Sequence, residues 1–170
     1  MQAKIRCKAL AGVAVAALTV PLAAGAANAS PMEAEAANCA TAPVSDRAKP
    51  VVDFACDVAL GKVYFGTPYE AQPDKREQAA NFFVFRAWEK AGVNLGGNAH
   101  LSSRAFFTWI KKTGVVKNGN TATPGDIVWD GRDGVGIYLG NNKIAGLAPG
   151  SDRFKFTIKY SPMLEVVEPA

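Results

Sequence analysis

The stretch Pro124-Gly125-Asp126-Ile127-Val128-Trp129-Asp130-Gly131-Arg132-Asp133-Gly134-Val135-Gly136-Ile137-Tyr138-Leu139-Gly140-Asn141-Asn142-Lys143-Ile144 decides the fold class. Its apolar runs are too short for helices and are bounded by Gly, Asn and Asp clusters, which marks strands joined by tight turns. Ile127 to Trp129 reads as one strand, Gly131 to Gly134 as a turn and Val135 to Leu139 as a second strand. Gly140-Asn141-Asn142 then turns the chain into a third strand around Lys143-Ile144-Ala145. Downstream, Phe154, Phe156, Ile158 and Tyr160 alternate with Lys155, Thr157 and Lys159, the period of a strand with one buried face. A last strand is expected between Leu164 and Val167.

Upstream of Pro124 the period is helical. Pro50 suits a first helical turn, and Val51, Val52, Ala55, Val58 and Ala59 recur on one face before Gly61. After a loop through Gly66, Pro68 and Pro73, Asp74-Lys75-Arg76-Glu77 has the spacing of a capping box. It predicts a second helix to about Ala91, with Ala79, Ala80, Phe83, Val84, Ala87 and Trp88 as its apolar face. A third helix is bounded by Ser102 or Ser103 and Gly114. Ala105, Phe106, Trp109 and Ile110 are expected on its buried side, and Arg104, Lys111 and Lys112 toward water. Helices first and strands second give an α+β fold, with a C-terminal antiparallel sheet of about five strands.

The N-terminus reads differently. Lys4, Arg6 and Lys8 precede an apolar run from Ala9 to Pro21, and small residues lead to Ala27-Asn28-Ala29, the pattern of a secretory signal peptide over residues 1–29. A membrane anchor is the competing reading, but the run is short of the roughly 20 residues that a spanning helix needs. Residues 30–45, rich in Ala, Pro and Glu, are expected to form a flexible arm, and residues 46–170 the domain. Cleavage would remove three cations from the 19 basic residues, leaving 16 against 15 acidic ones. No basic stretch interleaved with aromatics remains for nucleic acid, and no second segment could span a membrane. The expected destination is the cell exterior or envelope.

Cleavage would also remove Cys7 and leave Cys39 and Cys56 in an oxidising compartment, where one disulfide is the simplest outcome. The alternative, a catalytic thiol served by His100, finds nothing around either cysteine that would make a reactive thiolate. Asp126, Asp130 and Asp133 raise a metal site, but they flank turns without the ligand density of a calcium loop, so no metal or other cofactor is expected.

The strand motif from Pro124 to Ile144, with Gly134-Val135-Gly136-Ile137-Tyr138-Leu139-Gly140-Asn141 at its centre, resembles the C-terminal half of NlpC/P60 domains, secreted papain-like peptidases of the bacterial cell wall. Ala59-Leu60-Gly61-Lys62-Val63-Tyr64-Phe65-Gly66 is similar to that family's helix end and Gly-x-Pro-Tyr-x-Trp-Gly loop. Ala91-Gly92-Val93 is similar to the end of its nucleophile helix. The resemblance runs from about Val51 to Val167 and implies a papain-like fold with the second helix packed on the sheet. In such hydrolases a helix-start Cys is activated by a His on the sheet and oriented by a third polar residue. Matched residue by residue, those positions fall on Ala80, Gly134 and Ala145, so the resemblance implies a scaffold without its chemistry. Phe82 stands where the family has Gly, and Phe83 is bulkier than the family's residue.

Three functions follow as expectations. The first is a catalytically inactive domain binding the peptide part of peptidoglycan, with Tyr64, Asn81, Trp129 and Asp133 as cleft candidates. The second is a module that regulates another secreted envelope protein, with Arg104, Lys111, Lys112 and the Phe-rich helix as possible surface. The third is a peptidoglycan hydrolase with an unorthodox nucleophile. Phe82 or Phe83 filling the cleft would count against ligand binding there.

Overall fold

The structure, a computed structural model, describes residues 39, 42–69, 72–131, 134–148, 155–160 and 165–170. The expected signal peptide and most of the expected arm lie outside these residues, as do Asp133, Phe154 and Leu164. Among the described residues there are three α-helices: α1 (Lys49–Ala59), α2 (Arg76–Glu89) and α3 (Ser103–Thr113). Six strands follow: β1 (Val115–Lys117), β2 (Ile127–Trp129), β3 (Val135–Gly140), β4 (Lys143–Leu147), β5 (Phe156–Tyr160) and β6 (Glu165–Glu168). They form one antiparallel sheet in the order β1-β6-β2-β3-β4-β5. The fold is mixed α+β. None of the described helices is long and apolar enough to cross a membrane.

The core lies between the helices and one face of the sheet. α2 packs on β3, flanked by α1, which also reaches β5, and by α3, which meets β2. The face expected for the second helix, Ala79, Ala80, Phe83, Val84, Ala87 and Trp88, is fully buried. So are Val51, Val52, Ala55 and Val58 of α1. The other sheet face carries a smaller cluster of Val128, Tyr138, Ile144 and Val166. Two-sided burial explains why β3, Val-Gly-Ile-Tyr-Leu-Gly, is an unbroken buried run.

The N-terminal segment is tied to this body. Cys39 and Cys56 form a disulfide with Cα atoms 5.9 Å apart. Ala42 lies so close to the β3–β4 turn that a Cβ on Gly140 would come within 2.8 Å of its methyl group. Chain of the expected flexible arm is therefore laid against the sheet from Ala42 onward.

Several local expectations are corrected. α2 begins at Arg76 behind a 3-10 turn, Pro73–Lys75, and its N-cap Lys75 makes no side-chain cap, so Asp74 does not close a capping box. Pro73 fixes the chain into that turn, and the Glu77 carboxylate is used elsewhere. On α3, Ser102 is the N-cap, its hydroxyl accepting from Ala105 N–H at 3.3 Å. Ala105 itself is exposed while Ser103 and Phe107 are buried, because the helix is rotated to put Ser103 against α2. β1 is a strand that the sequence reading missed, too short to show a period. Tyr160, expected on the buried face of β5, is exposed at the end of an edge strand, paired with Lys143 beyond the core. Lys159, expected in water, is folded inward onto Asp130.

Candidate functional site

α2 carries Ala80 a little more than one turn from its start, and the hairpin between β2 and β3 delivers Gly134 to the same point. A Cβ built on Gly134 would stand 3.5 Å from the Ala80 methyl and 2.7 Å from Ser103 Oγ. Gly134 has φ +103°, a conformation that L side chains rarely adopt, so this backbone both needs glycine and has no room for anything else. Positions 80 and 134, far apart in sequence, thus meet. Ala145, by contrast, lies on β4 opposite Ile137, displaced along the sheet from Gly134, and is fully buried in the core.

The meeting point is closed by a polar knot. Asn81 is fully buried. Its Nδ2 donates to the carbonyls of Ala99 (3.2 Å) and Leu101 (2.7 Å), and its Oδ1 accepts from Ser103 Oγ at 3.2 Å. Ser103 N–H, an open donor of the first turn of α3, donates to Glu77 Oε2 at 2.8 Å. Glu77 therefore caps α3 rather than its own helix. A cleft candidate by sequence, Asn81 is in the structure the residue that fastens the loop before α3 to α2. Ser103 was legible only as a helix start; nothing in its neighbours announced a contact with position 134.

Ala80 has no exposed surface, and Phe82 and Phe83 add a second closure. Phe83 is buried and stacks on Phe156 at 4.5 Å between ring centroids. Phe82 faces Phe65 at 5.8 Å and Tyr69 at 6.4 Å, which pins the loop after α1 onto α2. With Phe65 turned in among Phe54, Phe82, Phe83 and Phe156, its neighbour Tyr64 is turned out and 82% exposed. Trp129 is half-buried, tilted on Phe107 and covered by the Arg104 guanidinium 5.6 Å from its ring. Tyr64, Asn81 and Trp129 thus play three different parts: an outward side chain, an internal tie and a packed strand end. Asp133 lies outside the described residues.

The remaining sequence candidates are engaged. Asp126 is buried, accepts from Thr123 N–H at 2.7 Å and pairs with Lys117 at 3.1 Å. Glu168 meets the same ammonium at 2.8 Å. Burial opposes the charge on Lys117, but hydrogen bonds and charge from Glu168 and Asp126 outweigh it and raise its pKa above the ordinary 10.5. Asp130 is buried and paired with Lys159. His100 is exposed, with Nδ1 2.9 Å from the Gly97 carbonyl. Lys111 pairs with Glu165 at the surface. Among the described residues no three His, Cys, Asp or Glu side chains gather as a metal site would require.

Chemically, the point where α2 meets the β2–β3 hairpin holds a methyl group, a glycine, a buried hydroxyl and a carboxamide. The Glu77 carboxylate beside them accepts from Ser103 N–H, and the Ser103 hydroxyl is directed to Asn81 Oδ1. No family model, curated protein or solved structure matches this chain.

Proposed function

We propose that this chain is a secreted NlpC/P60-like domain, papain-like in fold, that has lost hydrolysis and acts in the cell envelope by binding the stem peptide of peptidoglycan without cutting it. The observation that carries this reading is the close approach of Gly134 to both Ala80 and Ser103. The two positions at which the family resemblance would put nucleophile and base are brought together, which supports the scaffold. Both lack a reactive side chain and the space is packed shut, which supports the loss of chemistry. A peptide would then lie across the outer surface, where Tyr64 offers an exposed ring beside Lys62. Loss of catalytic groups leaves affinity intact where binding never depended on them.

Incubation of the secreted protein with peptidoglycan sacculi, followed by sedimentation and mass spectrometry of pellet and supernatant, tests this. Saturable binding without new fragments is expected, and weaker binding for Tyr64→Ala. Release of muropeptides would overturn the inactive reading, and absence of binding would overturn the ligand.

One observation favours a second reading, regulation of another secreted envelope protein. Asn81, offered as a ligand contact by sequence, is spent on internal hydrogen bonds, and Phe82 and Phe83 fill the neighbouring space, as expected of a surface used by a protein rather than a cleft used by a peptide. Failure to sediment with sacculi, together with stoichiometric binding to a purified envelope hydrolase and a change in its rate, would select it.

A further inference from the structure

Asn118 is the one asparagine of the chain that is followed by glycine. In such a pair the peptide nitrogen can close on the side-chain carboxamide, because glycine brings no Cβ to crowd the approach. Asn118 stands exposed just after β1, at the start of the loop that leads to β2. Ring closure requires the Gly119 nitrogen to eclipse Cβ of Asn118 about its Cα–C bond, and the structure sets that bond elsewhere, with ψ at 161°. Four hydrogen bonds hold it there. The Asn118 carboxamide oxygen accepts from the N–H groups of Asn120 (3.0 Å) and Thr121 (3.1 Å). The Asn118 backbone carbonyl accepts from Thr121 N–H and from Thr121 Oγ1, both at 3.1 Å. Turning the Cα–C bond moves these two oxygens relative to each other, so one set of bonds or the other must break. Farther out, Lys117 Nζ donates to Thr123 Oγ1 at 3.0 Å and to Asp126 at 3.1 Å, closing the loop at its base.

We infer that Asn118 is a site of spontaneous deamidation that the folded β1–β2 loop holds back and that reacts when the loop opens. The Gly119 nitrogen gives its proton to water and bonds to Cγ of Asn118. The Cγ–Nδ2 bond breaks, and Nδ2 leaves as ammonia. Water then opens the succinimide ring at either carbonyl, so one water is consumed, one ammonia is released, and position 118 becomes aspartate or isoaspartate. The two products differ in consequence. Aspartate keeps a carboxylate oxygen where the carboxamide oxygen stood and can accept the same two bonds. Isoaspartate routes the chain through Cβ, which lengthens the backbone and takes that acceptor out of the loop, so the spacing that brings Lys117 to Thr123 and Asp126 is lost. The loop is therefore a one-way device: opening exposes it to a reaction after which it no longer closes in the same form. This inference is independent of the ligand proposed above.

The test uses the protein with its Cys39–Cys56 disulfide intact, incubated at neutral pH in native buffer and in guanidinium chloride. Aspartate and isoaspartate at each asparagine position are counted by peptide mapping. In denaturant Asn118 is expected to react ahead of every other asparagine, and in native buffer at least about ten times more slowly than in denaturant. Thr121→Val, at an exposed position, removes the hydroxyl bond to the Asn118 carbonyl. It is expected to speed the native reaction about threefold and leave the rate in denaturant unchanged, while Thr121→Ser keeps the slow native rate. Equal rates in the two buffers, reaction at another asparagine ahead of Asn118 in denaturant, or a Thr121→Val protein that reacts no faster than the unsubstituted one would each overturn the proposal.

Discussion

Asn81 and Gly134 are the residues on which the closed site turns. Asn81→Ala removes two hydrogen bonds to backbone carbonyls and leaves the Ser103 hydroxyl only the more distant Glu77 carbonyl, at 3.4 Å, as an acceptor. The expected loss is about 2–3 kcal/mol, read as a lower urea midpoint with unchanged m-value. Gly134→Ala puts a methyl group on a left-handed backbone and against Ser103 Oγ, and should cost about 2–3 kcal/mol. Since the hydroxyl is the closest atom, the costs of Gly134→Ala and Ser103→Ala should be less than additive by about 1 kcal/mol in a double-mutant cycle; strict additivity would place the strain elsewhere. These contacts were illegible in sequence for a physical reason. Asn81 and Ser103 are polar residues whose partners are set by how two helices cross, and nothing in local spacing encodes that crossing. The meeting of positions 80 and 134 was legible only through a motif resemblance, since no periodic pattern relates a helix to a hairpin turn.

At the scale of elements, the apolar faces of α1 and α2 could be read directly because one-sided burial imposes a period, and β2, β3 and β4 because short apolar runs stand between Gly, Asn and Asp turns. The start of α2 could not: Asp74 and Glu77 have the right spacing, but Pro73 holds a 3-10 turn there and Glu77 finds a stronger use at the N-terminus of α3. β1 escaped because a three-residue edge strand buries too little to be periodic, and Tyr160 continues the alternation of β5 past the point where the core ends. The loop after α1 is held by Phe65, whose ring meets four other phenylalanine rings. Phe65→Ala should cost about 3 kcal/mol and free the loop, measured as loss of amide protection from Gly61 to Tyr69. The Lys117 pair joins β1 to β6 and to the turn before β2. Its folded pKa is raised, so its stabilisation is complete below the unfolded value and is lost as pH rises through the folded one. The stability difference between the unsubstituted protein and Lys117→Met should be flat from about pH 7 to 9 and narrow above about pH 10.

On the scale of the whole molecule, the described residues make one body of one sheet, three helices and one disulfide, to which Cys39 and the chain from Ala42 are tied. The disulfide spans 17 residues, and closing such a loop is worth about 3 kcal/mol in the chain-entropy model. Replacing both Cys39 and Cys56 by Ser should lower the melting temperature by several degrees without changing the fold seen by circular dichroism. Fold class emerged from the order of helical and strand periods, a global property that local errors do not disturb. The functional reading rests on the opposite kind of information, a few contacts at one point, and stands or falls with whether that point is closed. Ala80→Cys tests it: the added sulfur is small, and position 80 has no exposed surface. In the protein with the Cys39–Cys56 disulfide intact, the new thiol should resist a soluble thiol reagent until the chain is unfolded. Labelling in native buffer at the rate of a free thiol would show an open site beside α2 and contradict the account.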